Sequence, residues 1–439
     1  MAVRPLTPNA AVPHADAVTK NRQNWAWAVA AVAFVALIGA AGFRATPGAL
    51  IDPLRAEFGW STGTIGLAVS VNLLLFGLTA PFAAALMERF GVRRVVSVAL
   101  TLVSVGSGLT VFMTASWQLV LLWGVLVGLG TGSMALAFVA TITGRWFVRH
   151  RGLVTGVLTA GGATGQLVFL PVMTSLAEDS GWRSAALLVS ASALAVVPLV
   201  LLFLREHPAD LGVPPYGGDE VVPRPVSTGA ARRAVTALTS AARTGPFWYL
   251  AAGFAICGVT TNGLVGTHFI PAAHDHGMPT TTAAGLLALV GVFDIVGTVL
   301  SGWLTDRVDS RVLLAVYYAL RGVSLLLLPQ LFHDSVHPSM LVFIVFYGLD
   351  WVATVPPTVA LCRQVFGLSA PVVFGWVFAA HQLGAAFAAT AAGLTRDHFG
   401  AYTPAWYVAG VLSIVAAFLS MRVVRRSAQA PVVGDLAKA

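Results

Sequence analysis

The chain has 439 residues, of which 57% are hydrophobic and only 10% are charged. A soluble domain typically carries about 25% charged residues, so a water-soluble protein of this composition would have too little polar surface to cover itself. A lipid bilayer removes that requirement, because the outer face of the protein can then be apolar. The composition therefore excludes an ordinary soluble domain and indicates an integral membrane protein.

Apolar stretches of about 20 residues, enough to cross a hydrocarbon core of about 30 Å, recur along the whole chain. Each is predicted to be a transmembrane helix. No short apolar core with a cleavage site follows the polar first 24 residues, so the first helix is expected to remain as an uncleaved anchor. The twelve predicted helices, numbered in chain order, are 25–49, 61–85, 95–113, 117–143, 152–176, 183–204, 246–270, 281–303, 312–331, 338–362, 371–395 and 402–423.

One long loop divides these helices into two sets of six. Residues 205–245 contain five prolines, several glycines and mixed charge, a composition that does not build a packed core. The loop is therefore predicted to be a cytoplasmic linker between an N-terminal bundle, 25–204, and a C-terminal bundle, 246–423. Residues 1–24 and 424–439 are predicted to be cytoplasmic tails.

The two halves also resemble each other at a constant spacing. Three acidic positions recur 218 residues later, each in the equivalent loop. A duplicated six-helix unit explains this spacing, and a duplicated membrane bundle is the plan of many secondary carriers. The three pairs are Glu57 with Asp275, Glu88 with Asp306, and Asp179 with Asp397.

The basic residues are distributed very unevenly about the predicted helices. Of the 26 lysines and arginines, 21 fall on the side of the tails and the linker, and two lie inside helices. Only Arg55, Arg183 and Arg396 fall on the other side. Positive loops stay cytoplasmic, so both termini and the linker are predicted to be inside the cell. The net charge of +8 is thereby assigned to membrane topology, and no nucleic-acid partner is expected.

Two loops carry a sequence motif. The loop 84–94 after helix 2 and the loop 302–311 after helix 8 resemble the cytoplasmic loop Gly-x-x-x-Asp-Arg-x-Gly-Arg-Arg of the major facilitator superfamily. The second copy keeps the glycine, Gly302, whereas the first has Ala84. A small residue allows two helices to approach closely, and the acid can pair at a helix end. The alternative is a signal for topology alone. The residues predicted to latch one conformation are Glu88, Arg89, Asp306 and Arg307.

This resemblance implies an all-α major facilitator fold: twelve transmembrane helices in two six-helix bundles related by pseudo-two-fold symmetry. Within the superfamily, residues 42–61, 151–165 and 292–296 resemble the monocarboxylate-transporter-like group, including bacterial oxalate/formate-type carriers. In animal members of that group an arginine follows the helix 8 aspartate by one turn. That position is Thr298 here, so the lactate or pyruvate specificity of those carriers does not transfer directly.

Four charged side chains lie inside the predicted helices: Arg44, Asp294, Arg321 and Asp350. A charge in lipid is costly, so it usually faces a cavity or a partner. The resemblance implies that helices 1, 4, 7 and 10 line the central cavity. Arg44 on helix 1 is therefore the predicted substrate anchor, because guanidinium binds carboxylate bidentately. The alternative is an arginine that extends to the membrane interface.

Arg321 on helix 9 is predicted to be a structural charge, neutralised by Asp294 or Asp350. The aspartate that does not hold it becomes the candidate proton-coupling site, because a carboxyl that gains or loses a partner can take up or release a proton. Asp294 is favoured because it matches the membrane aspartate of the monocarboxylate-transporter-like group. The alternative is that both aspartates are structural.

Asp350 is also a candidate for substrate binding, together with three other polar side chains inside helices: Asn262, His381 and Gln382. For the histidine the alternative is a hydrogen bond between helices. Adjacent prolines, Pro356-Pro357, remove two amide donors and should disturb helix 10. Such a disturbance can be a hinge or can expose carbonyls to the cavity.

Several chemistries are not indicated. The chain has no Walker-type phosphate loop, no His, Glu or Cys cluster with metal-ligand spacing, and no nucleophile with a placed base. Cys257 and Cys362 are scattered inside helices and are predicted to be small packing residues. We therefore expect no enzyme activity, no cofactor and no metal.

The resulting hypothesis is a secondary active transporter that works by alternating access and takes up a small organic anion, a monocarboxylate, together with a proton. The main alternative is a proton-coupled exporter of a neutral or cationic small molecule, and the second is a transport-inactive membrane sensor. The expected partners are the substrate, the proton and the lipid bilayer, with the monomer as the functional unit. The bacterial inner membrane is the predicted location.

Overall fold

A computed structural model describes residues 25–134, 136–223 and 229–423 of the chain. The only strand-like pairing in these residues is an isolated bridge between Phe147 and Tyr216; helices make up nearly all of the rest. Eleven helices are long and apolar enough to cross a membrane. A further helix of 30 residues, Arg151–Ser180, stands where helix 5 is predicted.

These are the helices α1–α12, and they confirm the predicted all-α class. Their bounds are Trp25–Phe58 (α1), Thr62–Phe90 (α2), Val92–Leu109 (α3), Ser116–Trp146 (α4), Arg151–Ser180 (α5), Trp182–Phe203 (α6), Gly245–Asp275 (α7), Thr280–Thr305 (α8), Ser310–Leu327 (α9), Pro338–Phe366 (α10), Ala370–Phe399 (α11) and Thr403–Met421 (α12).

Most helices begin and end within a few residues of their predicted limits, but α1 continues for nine residues beyond residue 49. Asp52 and Arg55 interrupt the apolar pattern there. The helix persists because Leu50, Ile51 and Leu54 are fully buried in the hydrophobic core. An amphipathic last section thus extends α1 past its most apolar stretch.

Two long seams join the N-terminal half, α1–α6, to the C-terminal half, α7–α12. One runs along α2 and α11, the other between α5 and α8. Glycines bring α2 against α11, since a Cβ at Gly66 would lie 2.5 Å from the Ala389 carbonyl oxygen, and one at Gly77 would lie 2.5 Å from Gln382 Cβ. Such small residues allow membrane helices to approach closely.

The predicted linker is more ordered than its composition indicates. After α6 the chain packs against the end of α4, where the Tyr216 N–H donates to the Trp146 carbonyl at 2.8 Å. Farther along, a linker helix, Ala230–Ala241, packs against both α2 and α11. The Trp376 indole N–H of α11 donates to the Ala234 carbonyl of this helix at 2.9 Å. We call this end of the molecule the linker end and the opposite one the distal end.

Three polar contacts join the two halves at the distal end. Asp397 of α11 accepts hydrogen bonds from the first backbone N–H groups of α2, at 3.1 Å from Thr62 and 2.8 Å from Gly63. His274 Nδ1 of α7 lies 3.0 Å from an Asp52 oxygen of α1. The third contact joins the α8 hydroxyl of Thr280 to a carboxylate at the end of α5, that of Glu178. This end of the seam between the halves is therefore closed.

We expect Asp397→Ala to loosen the distal closure, because the N-terminus of α2 loses a carboxylate that satisfies two orphan N–H groups. The closed arrangement should lose about 0.5–2 kcal/mol, the usual cost of removing a side chain that caps a helix N-terminus. Spin labels at the exposed positions Ala56 and Phe399 should report a broader and longer distance distribution by pulsed electron resonance. Asp397→Asn, which keeps one acceptor oxygen, should fall in between. Distributions that are identical in all three proteins would contradict this role.

Candidate functional site

The predicted disturbance of helix 10 is present as an interruption of α10 at residues 351–354, between the segments Pro338–Asp350 and Val355–Phe366. Proline has no N–H, so Pro356 and Pro357 leave the carbonyls of Val352 and Ala353 without their helical donors. A buried carbonyl needs another partner. Val352 accepts from the N–H of Val355 at 2.8 Å.

Side chains from other helices supply the remaining partners of the interruption. The Ser301 hydroxyl of α8 donates to the Ala353 carbonyl at 2.5 Å. Arg321 of α9 donates through one terminal nitrogen to the Asp350 carbonyl at 2.6 Å and to the Trp351 carbonyl at 3.3 Å. Helices α8 and α9 thus complete the hydrogen bonding that α10 cannot supply itself.

Arg321 also forms an ion pair inside the predicted membrane helices. Its Nε lies 2.6 Å from Asp350 Oδ2, and the Arg321 side chain is fully buried. Its other terminal nitrogen donates to Cys257 Sγ at 3.0 Å and to Thr260 Oγ1 at 3.4 Å, both on α7. Cys257, predicted to be a packing residue, is therefore part of the polar cluster. The guanidinium therefore joins α7, α9 and α10, and we propose a structural role for this charge.

Asp294 of α8 is the aspartate that does not hold Arg321. Its Oδ1 accepts from the Thr298 hydroxyl at 3.0 Å and from the backbone N–H of Val352 at 3.0 Å. The side chain is 7% exposed, and within the described part of the chain it makes no salt bridge. Of the two pairings left open by the sequence, the structure therefore selects Arg321 with Asp350 and leaves Asp294 as a buried carboxyl held by hydrogen bonds. Thr298, which stands where related carriers have arginine, provides one of those bonds.

The other predicted polar side chains do not all meet at this cluster. His381 of α11 is buried, with Nε2 3.4 Å from Thr261 Oγ1 and its ring stacked on Phe378. Asn262 is half-buried in a π-helical stretch of α7, Val259–Val265, a local geometry that is frequent at functional sites. His381 of α11 thus contacts α7 at the residue after Thr260, and Asn262 follows on α7.

Gln382 lies apart from them, because it faces the other half of the molecule at the seam of α2 and α11. It is fully buried, and its Oε1 has no hydrogen-bond partner among the described residues. Arg44, the predicted substrate anchor, lies within the helical course of α1, but its side chain is outside the described residues. Gln382 therefore has a described environment at the seam between the halves, whereas for Arg44 the structure describes only the backbone position on α1.

The predicted latch residues make local contacts in this conformation. Glu88 lies 3.7 Å from Arg233 of the linker helix, and the Arg89 guanidinium lies over the neighbouring Phe90 ring. Arg307 folds back on its own helix, where it donates to the Trp303 carbonyl at 3.0 Å and covers the Trp303 ring at 4.1 Å. Asp306 ends α8 as its C-terminal cap.

Two further observations concern these loops. The acid at the N-terminus of α3 is Glu206, which accepts from the N–H groups of Val92 and Arg93 at 2.6 and 3.0 Å. The motif glycine, Gly302, has no atom within 4 Å of an added Cβ, so it brings no helices together in this conformation. Glu206 had no sequence signal because it belongs to the chain after α6, distant from the motif.

The comparison with known proteins agrees with this architecture. The family model described as Major Facilitator Superfamily matches residues 32–370. The chain belongs to the major facilitator superfamily. Its membership confirms the resemblance seen in the two loop motifs, and it shows that the chain is a multi-pass membrane transporter and not an enzyme.

Curated relatives in the superfamily cover nearly the whole chain. Monocarboxylate transporter 13 of Bos taurus is 30% identical over 398 residues, 88% of this chain and 86% of its own length. An uncharacterised MFS-type transporter of Bacillus subtilis, YcxA, is 27% identical over 379 residues, 84% of this chain and 88% of its own length. Monocarboxylate transporter 11 of Homo sapiens is 28% identical over 408 residues, 90% and 82% of the two chains.

Solved structures of the superfamily share the fold. A D-xylose-proton symporter superposes with a TM-score of 0.70 at 16% identity and covers 91% of this chain and 98% of its own. A bacterial homologue of the human lysosomal transporter Spinster gives a TM-score of 0.68 at 15% identity, with 93% and 99% covered. At these identities the likeness establishes the fold of two six-helix halves and nothing about the substrate.

Proposed function

We propose that this major facilitator transporter takes up a small organic anion, a monocarboxylate, together with a proton. The observation that carries the proposal is the difference in bonding between the two membrane aspartates. Asp350 is paired with Arg321, whereas Asp294 makes no salt bridge among the described residues and is held by hydrogen bonds from Thr298 and Val352. A buried carboxyl without a cation is the group that can gain a proton inside a membrane at the lowest cost.

The substrate class is supported from two directions. Relatives that match most of the chain carry the name monocarboxylate transporter. The predicted membrane helices hold two arginines. Arg321 is bonded to Asp350, and the other arginine, Arg44, belongs to α1 of the N-terminal half, whereas Asp294 belongs to α8 of the C-terminal half. An arginine in one half and a protonatable carboxyl in the other suit an anion that travels with a proton between the halves.

The orientation follows from charge. The linker end carries the linker helix, and in the predicted topology the side of the linker holds 21 of the 26 lysines and arginines. We therefore assign this end to the cytoplasm together with both termini. The distal closure then faces the outside of the cell, in the bacterial inner membrane. Uptake requires that closure to open, and Asp294 to be reached from the outside, during each transport cycle.

The test is proton flux in proteoliposomes with an imposed pH gradient and a panel of small carboxylates beside cationic and neutral compounds. We expect acid-dependent proton entry with one or a few carboxylates. A gradient of one pH unit supplies about 1.4 kcal/mol, enough for roughly tenfold accumulation by a one-to-one symporter. Asp294→Asn, which keeps an acceptor for Val352 but cannot titrate, should lose this accumulation. Exchange of labelled substrate without a gradient should survive in this variant. Asp219→Asn, at an exposed position of the linker, is the matched control and should keep proton coupling.

Proton exit on addition of a cationic or neutral compound, with no response to any carboxylate, would instead establish the exporter. Full accumulation by Asp294→Asn would remove Asp294 from the coupling mechanism. Loss of both accumulation and exchange in Arg44→Ala, with exchange kept in Asp294→Asn, would assign substrate binding and proton coupling to different halves of the molecule.

A further inference from the structure

The interruption of α10 links proton binding to a conformational change of this helix. This inference rests on the proposed role of Asp294 as the proton site. The backbone groups of residues 350–353 are bonded by side chains from α8 and α9 in place of their own helix. Asp294 holds the N–H of Val352, and Ser301 holds the carbonyl of Ala353. Both belong to α8, two helical turns apart, and both are buried.

The segment of α10 before the interruption is fixed to α8. A Cβ at Gly297 would lie 1.9 Å from the Leu349 carbonyl oxygen, and one at Gly348 would lie 2.7 Å from Phe293 Cβ. Such backbone contact leaves no room for the two helices to shift. The segment after the interruption begins at Val355 and has its own helical hydrogen bonds. Movement of this second segment relative to the first therefore has to occur at residues 351–354.

Of the contacts that hold the interruption, the one to the Val352 N–H is made by a titratable group, Asp294, which has no salt bridge in the described part of the chain. The charged and titratable groups that face Asp294 are Arg321 of α9 and Asp350 of α10, and these two are bonded to each other. Tyr317 of α9 contacts Ser301 farther along α8. A carboxylate accepts an N–H bond about twice as strongly as a neutral group does, so protonation of Asp294 weakens its hold on Val352.

We propose that Asp294 and Ser301 form a clamp on α10, in which proton binding at Asp294 releases the Val352 N–H and frees the segment Val355–Phe366 to move as a hinged unit. Ser301 keeps the carbonyl side of the interruption bonded in both states. Asp294 thus acts as a positioning residue for α10 in addition to its proposed role as the proton site.

Hydrogen exchange measured by mass spectrometry on the full-length protein in lipid nanodiscs tests the clamp without substrate. After correction for intrinsic rates, the peptide that covers residues 349–358 should exchange roughly tenfold faster on the acid side of a titration step, the difference between a charged and a neutral hydrogen bond. Asp294→Asn should remove the step and Asp294→Glu, which still titrates, should keep one. Ser301→Ala should raise exchange at every pH and leave the step in place.

The outcomes separate the clamp from the transport function. A flat pH profile in the wild-type protein, or an unchanged step in Asp294→Asn, overturns the clamp even if Asp294→Asn has lost proton-driven accumulation. A step that depends on Asp294 in a protein that moves no carboxylate retains the clamp and rejects the proposed substrate. Asp294→Glu serves as the folded comparison should the asparagine variant fail to assemble, and loss of its step also counts against the clamp.

Discussion

Replacing Arg321 with leucine is expected to destabilise the protein by about 3–5 kcal/mol, the cost of leaving one member of a buried ion pair alone. Asp350 would keep its charge or take a proton in a fully enclosed site. The carbonyls of Asp350 and Trp351 would lose their donor as well. Thermal unfolding of the purified protein in detergent should show the loss as a lower midpoint, and transport should fall below detection.

The double variant Arg321→Leu with Asp350→Leu is the control that separates the cost of the lone charge from the cost of the lost hydrogen bonds. It removes the lone charge but not the need of the two backbone carbonyls for a donor. Its midpoint should therefore lie above that of Arg321→Leu and below that of the wild-type protein. A double variant no more stable than Arg321→Leu would show that the pair itself contributes little. A wild-type midpoint in Arg321→Leu would contradict the structural role altogether.

The sequence could identify the four membrane charges but not which aspartate pairs with Arg321. Asp294 lies 27 residues before Arg321 in the chain and Asp350 lies 29 residues after it, so spacing gives no preference. The choice depends on how α8, α9 and α10 are rotated about their axes. That rotation is set by backbone contacts such as the one at Gly297, which a single sequence does not reveal.

The sequence also did not indicate which serine and threonine hydroxyls belong to the polar cluster, because their partners lie on other helices. Serine and threonine in a helix usually return their hydrogen bond to a carbonyl of the preceding turn, as Thr305 does with Ser301. Ser301 instead reaches across to Ala353 because Pro357 has left that carbonyl without a donor. The prolines were evident in the sequence, whereas the partner that completes the interruption belongs to another helix.

The repeat at 218 residues predicted which positions are equivalent but not how they are used. Asp179 and Asp397 end α5 and α11 at the same place in each half. Asp397 crosses to the N-terminus of α2, whereas in the other half the neighbouring Glu178 makes the contact with α8. Asp179 accepts from Ser175 of its own helix. Duplication therefore explains why the two halves share a fold and make contacts at equivalent positions. The side chain that forms each hydrogen bond differs between the halves.

Among glycine-to-alanine substitutions in the described part of the C-terminal half, we expect Gly258→Ala to be the most destabilising. A Cβ at Gly258 would lie 1.8 Å from the His381 carbonyl oxygen, and one at Gly384 would lie 2.0 Å from the Ala255 carbonyl oxygen. Both contacts join α7 to α11 through backbone atoms, which cannot turn aside as a flexible side chain can. Overpacking of this kind costs about 3 kcal/mol.

The same substitution at Gly285 of α8 is the matched control, because an added Cβ there meets nothing within 4 Å. Gly285→Ala should leave stability unchanged or raise it by up to about 1 kcal/mol, since alanine favours helix over glycine. We expect scanning fluorimetry in detergent to place Gly258→Ala and Gly384→Ala well below the wild-type protein and Gly285→Ala at or above it. Because Asn262 and His381 lie on these two helices, separation of α7 from α11 should also reduce transport. Equal unfolding midpoints for the three variants would show that the close approach of α7 and α11 is not needed for the folded state.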